Sequence, residues 1–189
     1  SVLLDARPTA KNTLETIERF RPTVYFGVPT MYAAQLQELE RARPDLSSLR
    51  LCVSAGEPLP ADVFRRWKER TGLDILDGIG STEALNTFVS NRPGDVRPGT
   101  SGKVVPGYEV RIVDEGGAVL GPHVLGRLQV KGPSTAPYYW NDPEKTAERY
   151  KPLPGREAGL VRPEIAVFSG DTVRRDEEGY LYFIGRRGE

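Results

Sequence analysis

Seven consecutive residues, Asp77-Gly78-Ile79-Gly80-Ser81-Thr82-Glu83, carry two glycines, two hydroxyl side chains and a closing carboxylate directly after an apolar run. Glycine lets a backbone approach a bulky group and reach positive φ. Ser81 and Thr82 offer hydroxyl and N–H donors, and Glu83 offers oxygen to a hard cation. That set suits a phosphate and its Mg²⁺. The same pattern also describes a polar strand-to-helix turn whose glycines serve geometry and whose acid complements a helix N-terminus. Composition alone leaves both readings open.

Such a loop needs a scaffold, and the first half of the chain reads as repeated strand-helix units. Leu14, Ile17 and Phe20 fall at helical spacing within Pro8 to Phe20. Thr23 to Val28 is a β-prone burst ended by Pro29, after which Thr30 is placed to cap a helix through Tyr32, Leu36 and Leu39. Leu49 to Val53 reads as the next strand, ending in Ser54-Ala55-Gly56-Glu57-Pro58, and a helix from Ala61 presents Val63, Phe64 and Trp67 on one side. Leu73 to Leu76 is a third strand leading into the central loop, with a helix-like segment from Thr82. This alternation predicts an α/β fold, a parallel sheet with flanking helices, whose ligands sit at the carboxyl ends of the strands. The loops after Val53 and Leu76 both fall there.

From about Asn91 the texture becomes rich in Gly and Pro, with short alternating runs at Tyr108 to Val113, Leu125 to Val130 and Tyr180 to Ile184. Asp114 to Gly117 and Asp176 to Gly179 have the acid-then-glycine chemistry of hairpin turns. The prediction is an α/β subdomain over residues 1–95 followed by a small β-rich distorted barrel over 96–189. Pro152 to Pro163 is the most loop-like stretch, and Glu144 with Lys145 reads as a solvated helix start. Tyr139 and Trp140 are expected to pack against the β-rich half.

With Lys+Arg and Asp+Glu both at 26 in 189 residues, overall charge points to neither nucleic acid nor an acidic membrane surface. The single cysteine, Cys52, excludes an internal disulfide, and its Leu-Cys-Val context reads as a buried small hydrophobe. His123, the one histidine, lies between Pro122 and Val124 with no acid or nucleophile placed near it in sequence. No apolar run approaches the length of a membrane span, and the first residues lack a signal-peptide pattern, so the expected location is the cytoplasm. Neither end has the pattern of a natural terminus, and the chain reads as a piece of a longer protein.

Six short blocks carry a family resemblance: Gly27-Val28-Pro29-Thr30, Ser54 to Leu59, Asp77 to Glu83, Tyr139 to Thr146, Ser169-Gly170-Asp171 and Gly185-Arg186. In this order they resemble the AMP-forming acyl- and aryl-CoA ligases of the adenylate-forming superfamily, especially the benzoate-CoA ligase branch. The resemblance implies ATP, Mg²⁺ and coenzyme A as cofactors and a small-molecule carboxylate as substrate. It implies that Gly56, Glu57 and Pro58 line an adenine site with Gly78, that Asp77 accepts from the adenine amine, and that Ile79 gives apolar contact to the adenine face. Thr82 would contact the α-phosphate, Glu83 would bind Mg²⁺, Asp171 would take the ribose hydroxyls, and Arg186 would contact ribose or phosphate. Thr82, Glu83 and Arg186 are the residues it implies for catalysis. An acyl pocket would involve Phe26, Ala55, Gly78, Gly80, Leu85 and Asn86, with small residues leaving room for a flat ring. Phe26 and Leu85 also have a plain reading as core. Arg127 departs from the family pattern, standing where a glutamate often follows the glycine.

The chemistry implied is attack of a carboxylate on the α-phosphate of ATP, then displacement of AMP by the thiol of coenzyme A. The family's upstream phosphate loop and its C-terminal adenylation lysine are not found in this stretch. The expectation is therefore that the stretch alone neither forms adenylate nor binds ATP tightly, that it needs the missing parts of the same polypeptide, and that it self-associates through exposed apolar surface. Two other readings stay open: an adenylation domain that loads an acid onto a carrier protein, and a non-catalytic module that keeps the fold.

Overall fold

The computed structural model describes residue 2, residues 7–153 and residues 164–186. Most of the opening apolar run, and the loop expected up to Pro163 from residue 154 onward, lie outside the described residues. The chain divides into two compact units, Ser1–Gly78 with Asn91–Thr100 and Ile79–Ser90 with Ser101–Glu189.

In the first unit, helix α1 (Ala10–Phe20) opens with a capping box, the Thr9 hydroxyl accepting the Asn12 N–H while the Asn12 side chain accepts the Thr9 N–H. Leu14 and Ile17 are buried, whereas Phe20 turns outward. Strand β1 (Val24–Gly27), helix α2 (Pro29–Glu38), strand β2 (Leu51–Ser54), helix α3 (Ala61–Thr71) and strand β3 (Ile75–Ser81) follow. Helix α2 starts earlier than expected. Pro29 already occupies its first turn, where a fixed φ and a missing N–H cost nothing, and Val28 rather than Thr30 precedes it without a side-chain cap bond. The pairs β1–β2 and β2–β3 are parallel, with Gly27 level with Ser54 and Ser54 level with Asp77. Their core centres on Tyr32, Trp67, Cys52 and Ile75, all fully enclosed. The Tyr32 ring meets Trp67 edge-on at 4.9 Å, and its hydroxyl donates to the Val53 carbonyl at 2.9 Å.

Strand β3 does not stop where a loop is expected. It runs on through Gly78 and Gly80 to Ser81, and Thr82–Ala84 forms one 3-10 turn that leads into strand β4 (Asn86–Ser90) rather than into a helix. The Ser81 hydroxyl accepts the Ala84 N–H at 3.3 Å and Leu85 takes the left-handed conformation at φ 57, which reverses the chain at once. Burial of Phe88 and Val89 then holds the following residues as a strand.

In the second unit the end of β3 is followed by β4 and β5 (Lys103–Val104). A second, antiparallel sheet has the order β10-β9-β7-β6, from β6 (Glu109–Val113), β7 (Gly126–Lys131), β9 (Ile165–Arg175) and β10 (Leu181–Arg186), with β8 (Tyr150–Pro152) beside β9. Both acid-glycine turns form. Gly117 (φ 87) donates to the Asp114 carbonyl and Gly179 (φ 90) to the Asp176 carbonyl, each at 3.2 Å. The predicted distorted barrel is not found as a closed one: among the described residues this sheet is open, with β6 and β10 at its edges. Helix α4 (Pro143–Arg149) is capped by Asp142, whose side chain accepts the Lys145 N–H at 3.0 Å. Tyr139 joins the core of this unit, but Trp140 does not pack as expected and is 87% exposed. No helix among the described residues is long and apolar enough to cross a membrane.

Candidate functional site

In the first unit the anticipated residues sit at the carboxyl ends of the parallel strands. Phe26 is level with Val53, one residue before the point where Gly27, Ser54 and Asp77 stand side by side across β1, β2 and β3. Phe26 is exposed rather than core. Ala55, Gly56, Glu57 and Pro58 continue directly from the end of β2, and Gly56 takes φ 92, a conformation open to glycine. Asp77 and Gly78 are buried. The Asp77 carbonyl accepts both the main-chain N–H of Asn91 at 2.9 Å and its side-chain amide at 3.2 Å. Asn91 also donates to the Thr100 carbonyl and accepts the Arg97 N–H, so it secures the 91–100 segment beside the end of β3.

In the second unit Ile79 is buried in the core, while Thr82, Leu85 and Asn86 are exposed around the turn that carries Glu83. Gly80 faces β4 so closely that a Cβ there would lie 2.9 Å from the Asn86 carbonyl oxygen and 3.1 Å from Thr87 Cα. The carboxylate of Glu83 is half-buried, and its Oε1 accepts the hydroxyl of Tyr139. Burial works against its charge, but the bonds from Tyr139, its own N–H and Ser81, with the Arg149 cation, outweigh it and hold the group below the usual carboxylate range. Asp171 goes the other way. Burial pushes its carboxyl above the usual range, and the opposing Ser169 hydroxyl and the Arg186 and Arg149 cations do not cancel that. Arg186 lies opposite it in the β9–β10 register, with Nε 3.3 Å from Oδ1.

Arg149, which nothing in its sequence context singles out, acts on both acids. Its guanidinium lies over Gly170, where a Cβ would come within 3.1 Å of Nη2, and Gly170 has φ 91. Glycine in Ser169-Gly170-Asp171 thus admits the Arg149 guanidinium, whose charge is felt by both carboxylates. A cavity of about 230 Å³ opens beside Asp171, lined also by Arg127, Glu148, Arg149 and Phe168. Arg127 lies 3.9 Å over the Phe168 ring, a cation-π contact that a glutamate could not make. Tyr139 packs in the β-rich half as expected, and its bond to Glu83 is a second role that only its position within a motif block hinted at.

These parts, an ionised carboxylate in a hydroxyl-bearing turn and a buried Asp paired with Arg, suit a hard cation and a ligand that has hydroxyl groups. Residues 1–140 match the AMP-binding enzyme family. The chain belongs to that family. Among relatives of this AMP-binding-family chain, benzoate--CoA ligase of Thauera aromatica is 47% identical over 187 residues, covering 98% of this chain and 33% of that protein. The 4-hydroxybenzoate--CoA/benzoate--CoA ligase of Rhodopseudomonas palustris is 47% identical over 148 residues, covering 77% of this chain and 27% of that one. The crystal structure of the anthranilate CoA ligase AuaEII in complex with anthranoyl-AMP superposes with a TM-score of 0.87 at 42% identity, over 98% of this chain and 33% of that one. The chain therefore spans about a third of the length of these relatives.

Proposed function

We propose that this AMP-binding chain is part of an enzyme that adenylates a benzoate-like carboxylic acid and transfers the acyl group to coenzyme A. The observation that carries the reading is the identity of 47% across nearly the whole chain with an enzyme named for benzoate and coenzyme A. In this reading residues 1–95 hold the adenine and acyl loops, and residues 96–189 hold the ribose and hinge groups. Gly56, Glu57, Pro58, Asp77, Gly78 and Ile79 take the adenine. Phe26, Ala55, Gly78, Gly80, Leu85 and Asn86 take the ring of the acid.

Thr82 donates to the α-phosphate, Asp171 accepts from the ribose hydroxyls, and Arg186 adds a fixed cation near ribose or phosphate. The substrate carboxylate attacks the α-phosphorus and pyrophosphate leaves; the thiol of coenzyme A then attacks the acyl carbon and AMP leaves. The work of the protein is positioning and charge compensation. The Glu83 turn fits Mg²⁺ in its donor chemistry, one ionised carboxylate beside two hydroxyls. Among the described residues no group of three or more His, Cys, Asp or Glu forms a cage, and magnesium is commonly held by one or two carboxylates together with substrate phosphates. Bound there, the ion would supply neutralisation of phosphate charge.

The test is thioester formation by the full-length protein with ATP, Mg²⁺, coenzyme A and a panel running from benzoate and hydroxybenzoates to medium-chain fatty acids. Aryl acids are expected to turn over, and Glu83→Ala is expected to lower the rate by about a hundredfold or more. Adenylate without thioester would replace this reading with loading of a carrier protein, and neither product would replace it with a non-catalytic module.

A further inference from the structure

We propose that Tyr139 is a positioning residue that aims Glu83 at its cation, and that the segment from Ser134 to Asp142 grips the glutamate turn for that purpose. The proposal rests on the reading of Glu83 as the Mg²⁺ carboxylate. The phenol donates to Glu83 Oε1, so it fixes the plane of the carboxylate through one oxygen.

The phenol itself is held by groups other than the glutamate. Its main-chain N–H donates to Thr146 Oγ1 at 3.0 Å, and Thr146 lies on helix α4 behind the Asp142 cap. The ring meets Tyr150 edge-on at 5.5 Å, and Lys145 Nζ lies 4.9 Å from its centroid. The same segment also reaches the turn's backbone: the Ala136 N–H donates to the Glu83 carbonyl at 2.7 Å, and the Ser134 hydroxyl donates to the Ala84 carbonyl. Main chain and carboxylate are therefore fixed by one segment. A glutamate in a half-exposed turn would otherwise lose side-chain freedom only on binding its ion, and groups that orient a ligand in advance strengthen metal binding.

The experiment compares the full-length protein with its Tyr139→Phe and Glu83→Gln variants, using Mn²⁺ as the probe. Mn²⁺ binding is read by electron paramagnetic resonance as the change that the protein adds to a matched solution of Mn²⁺ and ATP alone, with no acid substrate, so turnover plays no part. Phenylalanine keeps the ring contacts and removes the one bond. The expected result is a Mn²⁺ dissociation constant raised about ten- to a hundredfold, with metal-free AMP binding unchanged. Wild-type Mn²⁺ affinity in Tyr139→Phe, with affinity lost in Glu83→Gln, overturns the positioning role and leaves the proposed function standing. Wild-type affinity in both overturns the positioning role together with the reading of Glu83 as the Mg²⁺ carboxylate. If Tyr139→Phe does not fold, Thr146→Val, which removes the acceptor of the Tyr139 N–H and keeps phenol and carboxylate, is expected to weaken Mn²⁺ binding about threefold; no change there overturns the proposal.

Discussion

Glu83 and Asp171 belong to the same unit and are pushed in opposite directions, which gives them opposite signatures in stability. Asp171 is raised, so the native state holds its proton more tightly than the unfolded chain. Its contribution is fully present below the ordinary aspartate value and is lost as pH rises through the native one. Glu83 is lowered, so its contribution is present above the ordinary glutamate value and is lost as pH falls through the native one. Asp171→Asn keeps the shape and removes a buried charge whose partner, Arg186, is half-exposed and can be solvated. We expect this variant to be more stable at pH 7 by about 1 kcal/mol, with the advantage shrinking toward pH 4, while nucleotide affinity falls at least about tenfold. Thermal melts against pH and a nucleotide titration check both halves; lower stability at pH 7 would show that the Arg186 pair outweighs desolvation.

Glycines are where element-level reading of a sequence is most easily misled. Gly80 suggests space for a ring, but within the second unit that direction is filled by the main chain of Asn86 and Thr87. Its missing side chain lets β4 lie against the end of β3, whatever else the residue does. Gly80→Ala should therefore cost about 1–3 kcal/mol, because the atoms in the way are backbone and cannot swing aside. Denaturant unfolding of the variant measures this. The helix expected from Thr82 failed for a related reason. Propensity over a few residues cannot see that Phe88 and Val89 will be buried, and burial favoured a strand. Where periodicity was long and one-sided, as in Val63, Phe64 and Trp67 on α3, the element formed as read and its apolar face is the buried one.

Across the whole molecule each unit encloses a T-shaped tyrosine pair, Tyr25 with Tyr32 at 5.3 Å in one and Tyr139 with Tyr150 at 5.5 Å in the other. Burial pushes the Tyr25 and Tyr139 phenols up to about 12 and raises Tyr32 and Tyr150 as well. A raised phenol stabilises the fold below the ordinary value near 10 and ceases to as pH climbs through the native one. Alkaline titration followed at 295 nm should therefore show some of the eight tyrosines ionising only together with loss of circular dichroism; smooth ionisation of all eight before unfolding would contradict the burial described. The sequence by itself determined the alternating strand-helix half, the β-rich half, the hairpin turns and the motif blocks that carry the family, because these depend on local periodicity, turn chemistry and residue order. Only the tertiary structure decided that β3 runs through the presumed loop, that Tyr139 meets Glu83 across 56 residues of sequence, and that Arg149 reaches both acids. Those outcomes depend on which distant segments are brought into contact, and no local pattern encodes that.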